Sequence, residues 1–196
     1  MKTKMKTVIV ALILAISLWS TMNASAQEKT SVSIEVDPIT FAFNGYGVHL
    51  RLSPKNSKHM LLGVGAYAMD FPKALVDFNS ENKDKGWDVR LNQGYGLFGE
   101  YHFSEVNRKW FLGGQLGIQE YKLSNLSQAG STQYTNVLLM GYGGYTWRPF
   151  DFGLYIKPWA GIGYTAKVSG ENKIGAMEYN IAPITLFATL HIGYTF

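Results

Sequence analysis

The sequence has no cysteine, few charged residues (16%) and little helical periodicity. Without cysteine, a lipid anchor on a thiol is excluded, and cysteine usage gives no indication of the redox compartment. Apolar residues spaced by three and four, as on one face of a helix, are hard to find. Beyond the N-terminus no apolar run approaches the roughly 20 residues that a transmembrane helix needs. If the chain crosses a bilayer, it must therefore do so with strands.

The N-terminus has the three parts of a secretory signal peptide. Lys2, Lys4 and Lys6 provide positive charge, Val8 to Trp19 is apolar, and Ala24-Ser25-Ala26 has the small residues of a cleavage site. This apolar run is too short for a membrane-spanning helix. We therefore predict a cleaved signal peptide over residues 1–26 and a mature protein over residues 27–196.

Removing this leader changes the charge of the chain. The net charge falls from +4 to about +1, because three lysines and no acidic residue leave. The mature chain has no basic stripe of the kind that binds nucleic acid, so no nucleic-acid partner is expected. Its length suits one domain.

The C-terminal segment has the alternation of a strand with two different faces. One face is apolar and consists of Ile184, Leu186, Ala188, Leu190, Ile192, Tyr194 and Phe196. The opposite face is mostly small or polar, with Thr185, Thr189, His191 and Gly193 among its members.

Two further segments, 87–103 and 153–168, show the same contrast between faces. In 87–103, strict alternation gives one face with Trp87, Val89, Leu91, Gln93, Tyr95, Leu97, Gly99, Tyr101 and Phe103. The other face has Asp88, Arg90, Asn92, Gly94, Gly96, Phe98, Glu100 and His102. Aromatic residues near strand ends and aliphatic residues nearer the middle are typical of a lipid-facing band.

Polar turns of two lengths alternate along the chain, as they do in barrels with short turns at one end and longer loops at the other. The short turns are Pro54–Ser57, Ser104–Lys109 and Pro149–Asp151, and the longer loops are Pro72–Gly86, Ser124–Ser131 and Ser169–Gly175. They predict eight strands, at 31–38, 40–53, 58–71, 87–103, 109–123, 132–148, 153–168 and 177–196. Asn44-Gly45 offers an alternative hairpin for the first pair, and either choice preserves eight strands.

Together these features resemble the small outer-membrane β-barrel families of Gram-negative bacteria. The resemblance covers nearly the whole mature chain and implies an all-β, eight-stranded, antiparallel, up-and-down transmembrane barrel in the outer membrane. In those families a C-terminal aromatic residue with apolar residues at alternate positions is read by the barrel-assembly machinery. The matching residues here are Leu190, Ile192, Tyr194 and Phe196.

A soluble periplasmic barrel of lipocalin type is the alternative fold. Its apolar faces would point inward, and alternation alone does not say which face is inside. The terminal aromatic residue and the scarcity of charge on the apolar faces favour the membrane, because a Lys or Arg facing mid-bilayer lipid costs about 2–4 kcal/mol.

In the membrane arrangement the polar faces line the lumen. We expect a luminal polar network of His49, Arg51, Asp88, Arg90, Glu100, His102, Lys157 and His191, with Lys167 also facing inward. The lumen of an eight-stranded barrel is only wide enough for side chains to fill it, so these charges must pair. A luminal ligand site is the alternative use of this space, with Tyr155, Trp159, Phe98 and Phe187 among its walls.

Three classes of function follow from these alternatives. We expect a structural or interaction protein with a filled lumen and exposed loops, embedded in outer-membrane lipid. The alternative is a barrel that binds or passes a small apolar molecule, admitted laterally near Met69, Phe71, Leu75, Val76 and Phe78. An enzyme is not expected. His102-Phe103-Ser104 resembles the His-x-Ser spacing of outer-membrane lipid A deacylases, but His102 falls on the inner face and Ser104 begins a turn. No cofactor or metal is indicated, because the histidines lack ligand spacing.

Overall fold

The computed structural model describes residues 30–196, so the predicted signal peptide and its cleavage site lie outside the described residues. The described chain forms a closed barrel of eight antiparallel strands. They are β1 (Ser31–Val36), β2 (Tyr46–Ser53), β3 (Met60–Asp70), β4 (Trp87–His102), β5 (Lys109–Asn125), β6 (Gln128–Thr146), β7 (Leu154–Gly170) and β10 (Ile184–Thr195). Their order around the barrel is β1, β10, β7, β6, β5, β4, β3, β2. Successive barrel strands are neighbours, which confirms the predicted eight-stranded up-and-down architecture.

Smaller elements lie between the barrel strands. Helix α1 (Pro38–Ala42) follows β1, helix α2 (Lys73–Val76) follows β3, and β8 (Lys173–Ile174) pairs with β9 (Met177–Glu178). The segments 54–59, 103–108 and 147–153 connect strands at the end where β1 begins and β10 finishes, which we call the terminal end. Both helices and the β8–β9 hairpin lie at the opposite, loop end.

Three predicted boundaries are wrong. Between β1 and β2 the chain forms helix α1, and neither the predicted strands 31–38 and 40–53 nor a simple Asn44-Gly45 hairpin is found. Asp37 caps this helix by accepting a hydrogen bond from the Ile39 amide at 2.9 Å. The long loop predicted at 124–131 is a tight turn between β5 and β6. The last strand begins at Ile184 rather than at 177, because residues 177–178 belong to the separate β8–β9 hairpin.

The barrel is apolar outside and charged inside. Leu97, Leu112 and Leu139 are about 60% exposed on the outer surface, whereas Arg51 and Lys157 inside are 1% exposed. A soluble lipocalin-type barrel would have the reverse arrangement, so the inward-facing apolar surface predicted for that alternative is wrong. No helix among residues 30–196 has the length and apolarity to cross a membrane.

Outward-facing aromatic side chains gather at the terminal end. The ring centroids of Trp110 and Tyr145 lie 5.1 Å apart, as do those of Tyr194 and Phe196. This terminal aromatic ring also includes the exposed side chains of Phe103, Trp147, Phe150 and Phe152. A girdle of this kind is typical of the interface between lipid and water.

Candidate functional site: the barrel lumen

Two buried glutamates organise the lumen near the terminal end. Glu35 of β1 accepts hydrogen bonds from Tyr155 Oη and Lys157 Nζ on one carboxylate oxygen, each at 2.9 Å. Its other oxygen accepts from Arg51 Nε at 2.9 Å and lies 3.0 Å from His191 Nδ1. This carboxylate is therefore surrounded by donors, as a buried charge requires.

Glu100 of β4 has an equivalent set of partners. Lys157 Nζ donates to its Oε2 at 2.6 Å, and His102 Nε2 lies 3.1 Å from the same atom. Tyr142 Oη donates to Oε1 at 2.9 Å, and Arg51 Nη2 lies 3.7 Å from that oxygen. Lys157 and Arg51 thus each bridge both glutamates, so the two cations balance the two carboxylates.

Aromatic rings enclose these charges. The guanidinium of Arg51 lies 4.4 Å from the centroid of Phe98, and Lys157 Nζ lies 4.8 Å from that of Phe111. Both contacts are within cation–π range. Gly193 gives Tyr155 its place beside Glu35, because a Cβ at this position would overlap the tyrosine ring. Glycines in these strands, which have no side chain, thus leave space for large inward-facing neighbours.

The structure brings most of the predicted luminal residues together but corrects the list. We name as the charge cluster the six buried residues Glu35, Arg51, Glu100, His102, Lys157 and His191. His49 is buried beside it, with its ring stacked on His191 at 4.5 Å between centroids. Glu35 is absent from the predicted luminal network. Its position in the sequence, alternating with Val32, Ile34 and Val36, nevertheless places Glu35 on the polar face of a strand.

Asp88 and Arg90 do not belong to the lumen, and their predicted placement is wrong. Pairing between β3, β4 and β5 shifts register at Asn92, which is a β-bulge. One extra residue reverses the faces beyond it, so Asp88 is exposed and Arg90 forms an ion pair with Asp70 near the loop end. Trp87, Val89 and Leu91, predicted to face outward, are buried instead. Lys167 is also exposed and donates to Asn172 Oδ1 at 2.7 Å.

Three luminal residues meet in a way that sequence spacing does not reveal. Glu35, His49 and His191 place one potential metal-ligand atom each within 4.8 Å of one another. Both oxygens of Glu35 already accept hydrogen bonds from Arg51 and Lys157, and these cations repel a metal ion. The arrangement therefore fits an ion-paired cluster better than a metal centre.

The outer half of the lumen contains a cavity of about 80 Å³ between the charge cluster and the loop end. Its walls are mainly apolar, and its inner end is formed by polar groups that include His49, His191 and Gln115. Three predicted wall residues line it, Phe98, Trp159 and Phe187. Tyr155 does not line it and instead donates a hydrogen bond to Glu35 of the charge cluster. The remaining apolar lining comes from Met69, Phe71, Leu91, Leu138 and Met140.

A hydrophobic lid covers the loop end. We define the lid as residues 71–86 and 171–183, which supply Val76, Ile174 and Tyr179 to a buried cluster with Trp87 and Leu123. Burial raises the pKa of Tyr179 to about 12, because the ionised phenolate would be poorly solvated there. Of the predicted rim residues, Val76 is buried in this cluster, whereas Leu75 and Phe78 are exposed.

A reciprocal amide pair joins the two halves of the lid. Asn82 Nδ2 donates to the Asn180 carbonyl at 2.8 Å, and the Asn180 amide donates to Asn82 Oδ1 at 2.8 Å. Asn79 Nδ2 also donates to Asn180 Oδ1 at 2.9 Å. Because Asn82 is 1% exposed, this contact is shielded from competing water.

The barrel wall has a short seam between β1 and β10. These strands pair only over Ser33–Val36, so the outer part of β10 has no partner strand on that side. Helix α1 fills the position: Thr189 Oγ1 donates to Asp37 Oδ2 at 2.8 Å, and Thr40 is buried. Asp37 and Thr40 also line the cavity, which therefore borders this seam.

The predicted assembly residues lie along β10 at the terminal end. Ile192 and Tyr194 are exposed on the outer face, and Leu190 is half-buried on the same side. Phe196 follows the strand, is 73% exposed, and donates its amide to the Val32 carbonyl at 2.9 Å. Its ring therefore lies on the outer surface of the barrel.

No protein-family model matches this chain, and no curated protein matches it in sequence. Among solved structures, it is similar to the N-terminal β-barrel domain of OprF from Pseudomonas aeruginosa. The two are 12% identical, the alignment covers 87% of this chain and 99% of that domain, and the TM-score is 0.47.

Proposed function

We propose that the protein is an outer-membrane barrel of structural or interaction type, with a sealed lumen and a loop end exposed outside the cell. The observation that carries this proposal is the distribution of side chains: an outer belt of aliphatic residues surrounds buried ion pairs. Large exposed apolar surfaces mark contact with a membrane or a partner, and this belt surrounds the whole barrel. Outer-membrane lipid is its expected partner.

The filled lumen supports a structural role over conduction. The charge cluster occupies the terminal half with its carboxylates and cations mutually paired, and the lid covers the other end. An ion crossing the barrel would have to break several buried ion pairs, each strongly favoured over an uncompensated charge. The purified protein is therefore expected to leave planar lipid bilayers without channel currents.

Two exposed leucines provide a sharp test of the membrane location. Leu139 is 58% exposed in the middle of the belt, whereas Leu126 is 91% exposed at the tip of the β5–β6 turn. In a bilayer, Leu139→Arg is expected to cost about 2–4 kcal/mol and Leu126→Arg almost nothing, because only the first side chain faces lipid. The measurement is urea unfolding in lipid vesicles, together with heat-modifiable migration and membrane fractionation.

If both arginine variants unfold like the unmodified protein and the protein fractionates as soluble, the membrane proposal is wrong. The same fractionation tests the proposal that the barrel-assembly machinery recognises the terminal strand. Phe196→Ser is expected to reduce the folded fraction in the outer membrane. Phe152→Ser, a matched change in the terminal aromatic ring, is expected to reduce it less.

A further inference from the structure

We propose that the cavity between the charge cluster and the lid is a binding site for a small uncharged molecule with an apolar body and one hydrogen-bonding group. This proposal goes beyond a sealed structural barrel, because it assigns a ligand to space that the side chains leave open. The cavity is about 80 Å³, whereas one water molecule needs roughly 10–15 Å³ of such space. An apolar cavity of roughly 150 Å³ is known to bind benzene, so a ligand the size of a single aromatic ring fits here once flexible side chains such as Met69 and Met140 move aside.

The walls select an apolar body. Met69 of β3 and Leu138 and Met140 of β6 are each 4% exposed and line the cavity. Methionine side chains adapt to irregular ligands and make favourable contacts with aromatic rings. Trp159, Phe98 and Phe187 add aromatic surfaces around the same space.

The inner end supplies the hydrogen-bonding groups. Tyr67 Oη accepts from Gln115 Nε2 at 2.9 Å and from Gln119 Nε2 at 3.2 Å, so its own hydrogen is left to donate elsewhere. His49 is buried, and its ring also lies among the cavity-lining residues. Buried polar groups in native proteins are nearly always paired, so the free hydrogen of the Tyr67 hydroxyl favours a ligand with one polar function.

The electrostatics select an uncharged ligand. The neighbouring charge cluster is internally balanced, because Arg51 and Lys157 each contact both glutamates. Asp37, which also lines the cavity, already accepts hydrogen bonds from Ile39, Thr40 and Thr189. An anionic ligand would find no free positive charge, and a cationic ligand would have only Asp37, whose carboxylate is already engaged in three hydrogen bonds, to compensate its desolvation.

Phenol is a suitable probe because it combines one ring with one hydroxyl. Beyond the leader the chain has four methionines, Met60, Met69, Met140 and Met177, which can be labelled with ¹³C at their methyl groups. In the folded mature protein in lipid nanodiscs, phenol is expected to shift the Met69 and Met140 signals saturably. Met60, which is not among the lining residues, reports partitioning of phenol into the lipid.

Two pairs of variants test the site. Leu138→Phe fills the cavity and is expected to weaken phenol binding at least tenfold, whereas Leu139→Phe, on the adjacent lipid-facing residue, leaves it unchanged. Tyr67→Phe is expected to weaken phenol binding several-fold and to leave toluene binding unchanged. Tyr95→Phe, on the outer face, serves as its control.

The result can be separated from the membrane proposal, because binding is measured only on protein that has shown heat-modifiable folding. Saturable shifts of Met69 and Met140 that Leu138→Phe abolishes would support the site. Shifts that are linear in phenol, equal at Met60, or retained in Leu138→Phe would overturn it.

Discussion

At the scale of single residues, Lys157 joins the two buried carboxylates of the lumen. It is 1% exposed and its Nζ donates to both Glu35 and Glu100, so one ammonium compensates parts of two carboxylates. Removing one partner of a buried ion pair costs more than the pair contributes, because the remaining charge stays in a poorly solvated place. The free energy of unfolding should therefore respond strongly to this one side chain.

We predict that Lys157→Met lowers the free energy of unfolding by about 3–5 kcal/mol, the range for breaking a buried ion pair. Lys122→Met, at an exposed position on β5, should change it by less than about 0.5 kcal/mol. Urea unfolding in lipid vesicles, followed by tryptophan fluorescence, measures both variants.

A second substitution separates charge from packing. Adding Glu100→Gln to Lys157→Met removes one uncompensated carboxylate and should recover part of the lost stability, because Arg51 then balances Glu35 alone. If the double variant is less stable than Lys157→Met by the full cost of a second independent change, the interpretation of Lys157 as the bridge between the two carboxylates fails.

At the scale of elements, the β-bulge in β4 sets which faces point inward. Between Gln93 and His102 the predicted faces agree with the structure, so Phe98, Glu100 and His102 are buried as expected. On the N-terminal side of Asn92, from Trp87 to Leu91, the inward and outward faces are the reverse of those predicted. Because side chains alternate with a period of two, one extra residue exchanges the faces of all the residues on one side of it. The local sequence around Asn92 has no pattern that predicts this extra residue.

Cysteine labelling can read these faces directly, because the chain has no native cysteine. Single cysteines at Asp88 and Arg90 are expected to react with a water-soluble maleimide in the folded barrel, since both face outward near the loop end. A cysteine at Val89, which is 1% exposed, should react only after unfolding. Rapid labelling at position 89 with protection at position 88 would contradict the bulge.

The predictability of the luminal site follows the same division. Arg51, Glu100, His102, Lys157 and His191 could be predicted because they lie on regularly alternating parts of their strands. The contact between Glu35 and His191 forms because β1 pairs with β10 and closes the barrel. These two strands are separated by most of the chain. Alternation gives the face of each residue but neither the register nor the neighbours across the lumen.

At the scale of the whole molecule, the lumen is divided into layers with different chemistry. The charge cluster fills the terminal half, the cavity lies beyond it, and the lid covers the loop end. The cluster is part of the barrel strands, whereas the lid is built from two loops that the Asn82–Asn180 pair joins to each other. Segments outside the strand ladder open at lower free energy than the core, so the lid should open while the barrel stays folded.

We predict that Asn82→Ala opens the lid without unfolding the barrel. The change removes both reciprocal hydrogen bonds with Asn180 and leaves the Asn180 amide and carbonyl without these partners. Loss of buried hydrogen bonds of this kind costs about 1–3 kcal/mol, which is small for the barrel but large for two loops. Limited proteolysis within 171–183 should therefore be faster, while heat-modifiable migration is retained.

Ser80→Ala is the control, because Ser80 is exposed and lies in the same loop as Asn82; this change should leave the rate of proteolysis unchanged. Equal cleavage rates in Asn82→Ala and Ser80→Ala would show that the apolar contacts of Val76, Ile174 and Tyr179 hold the lid without the amide pair.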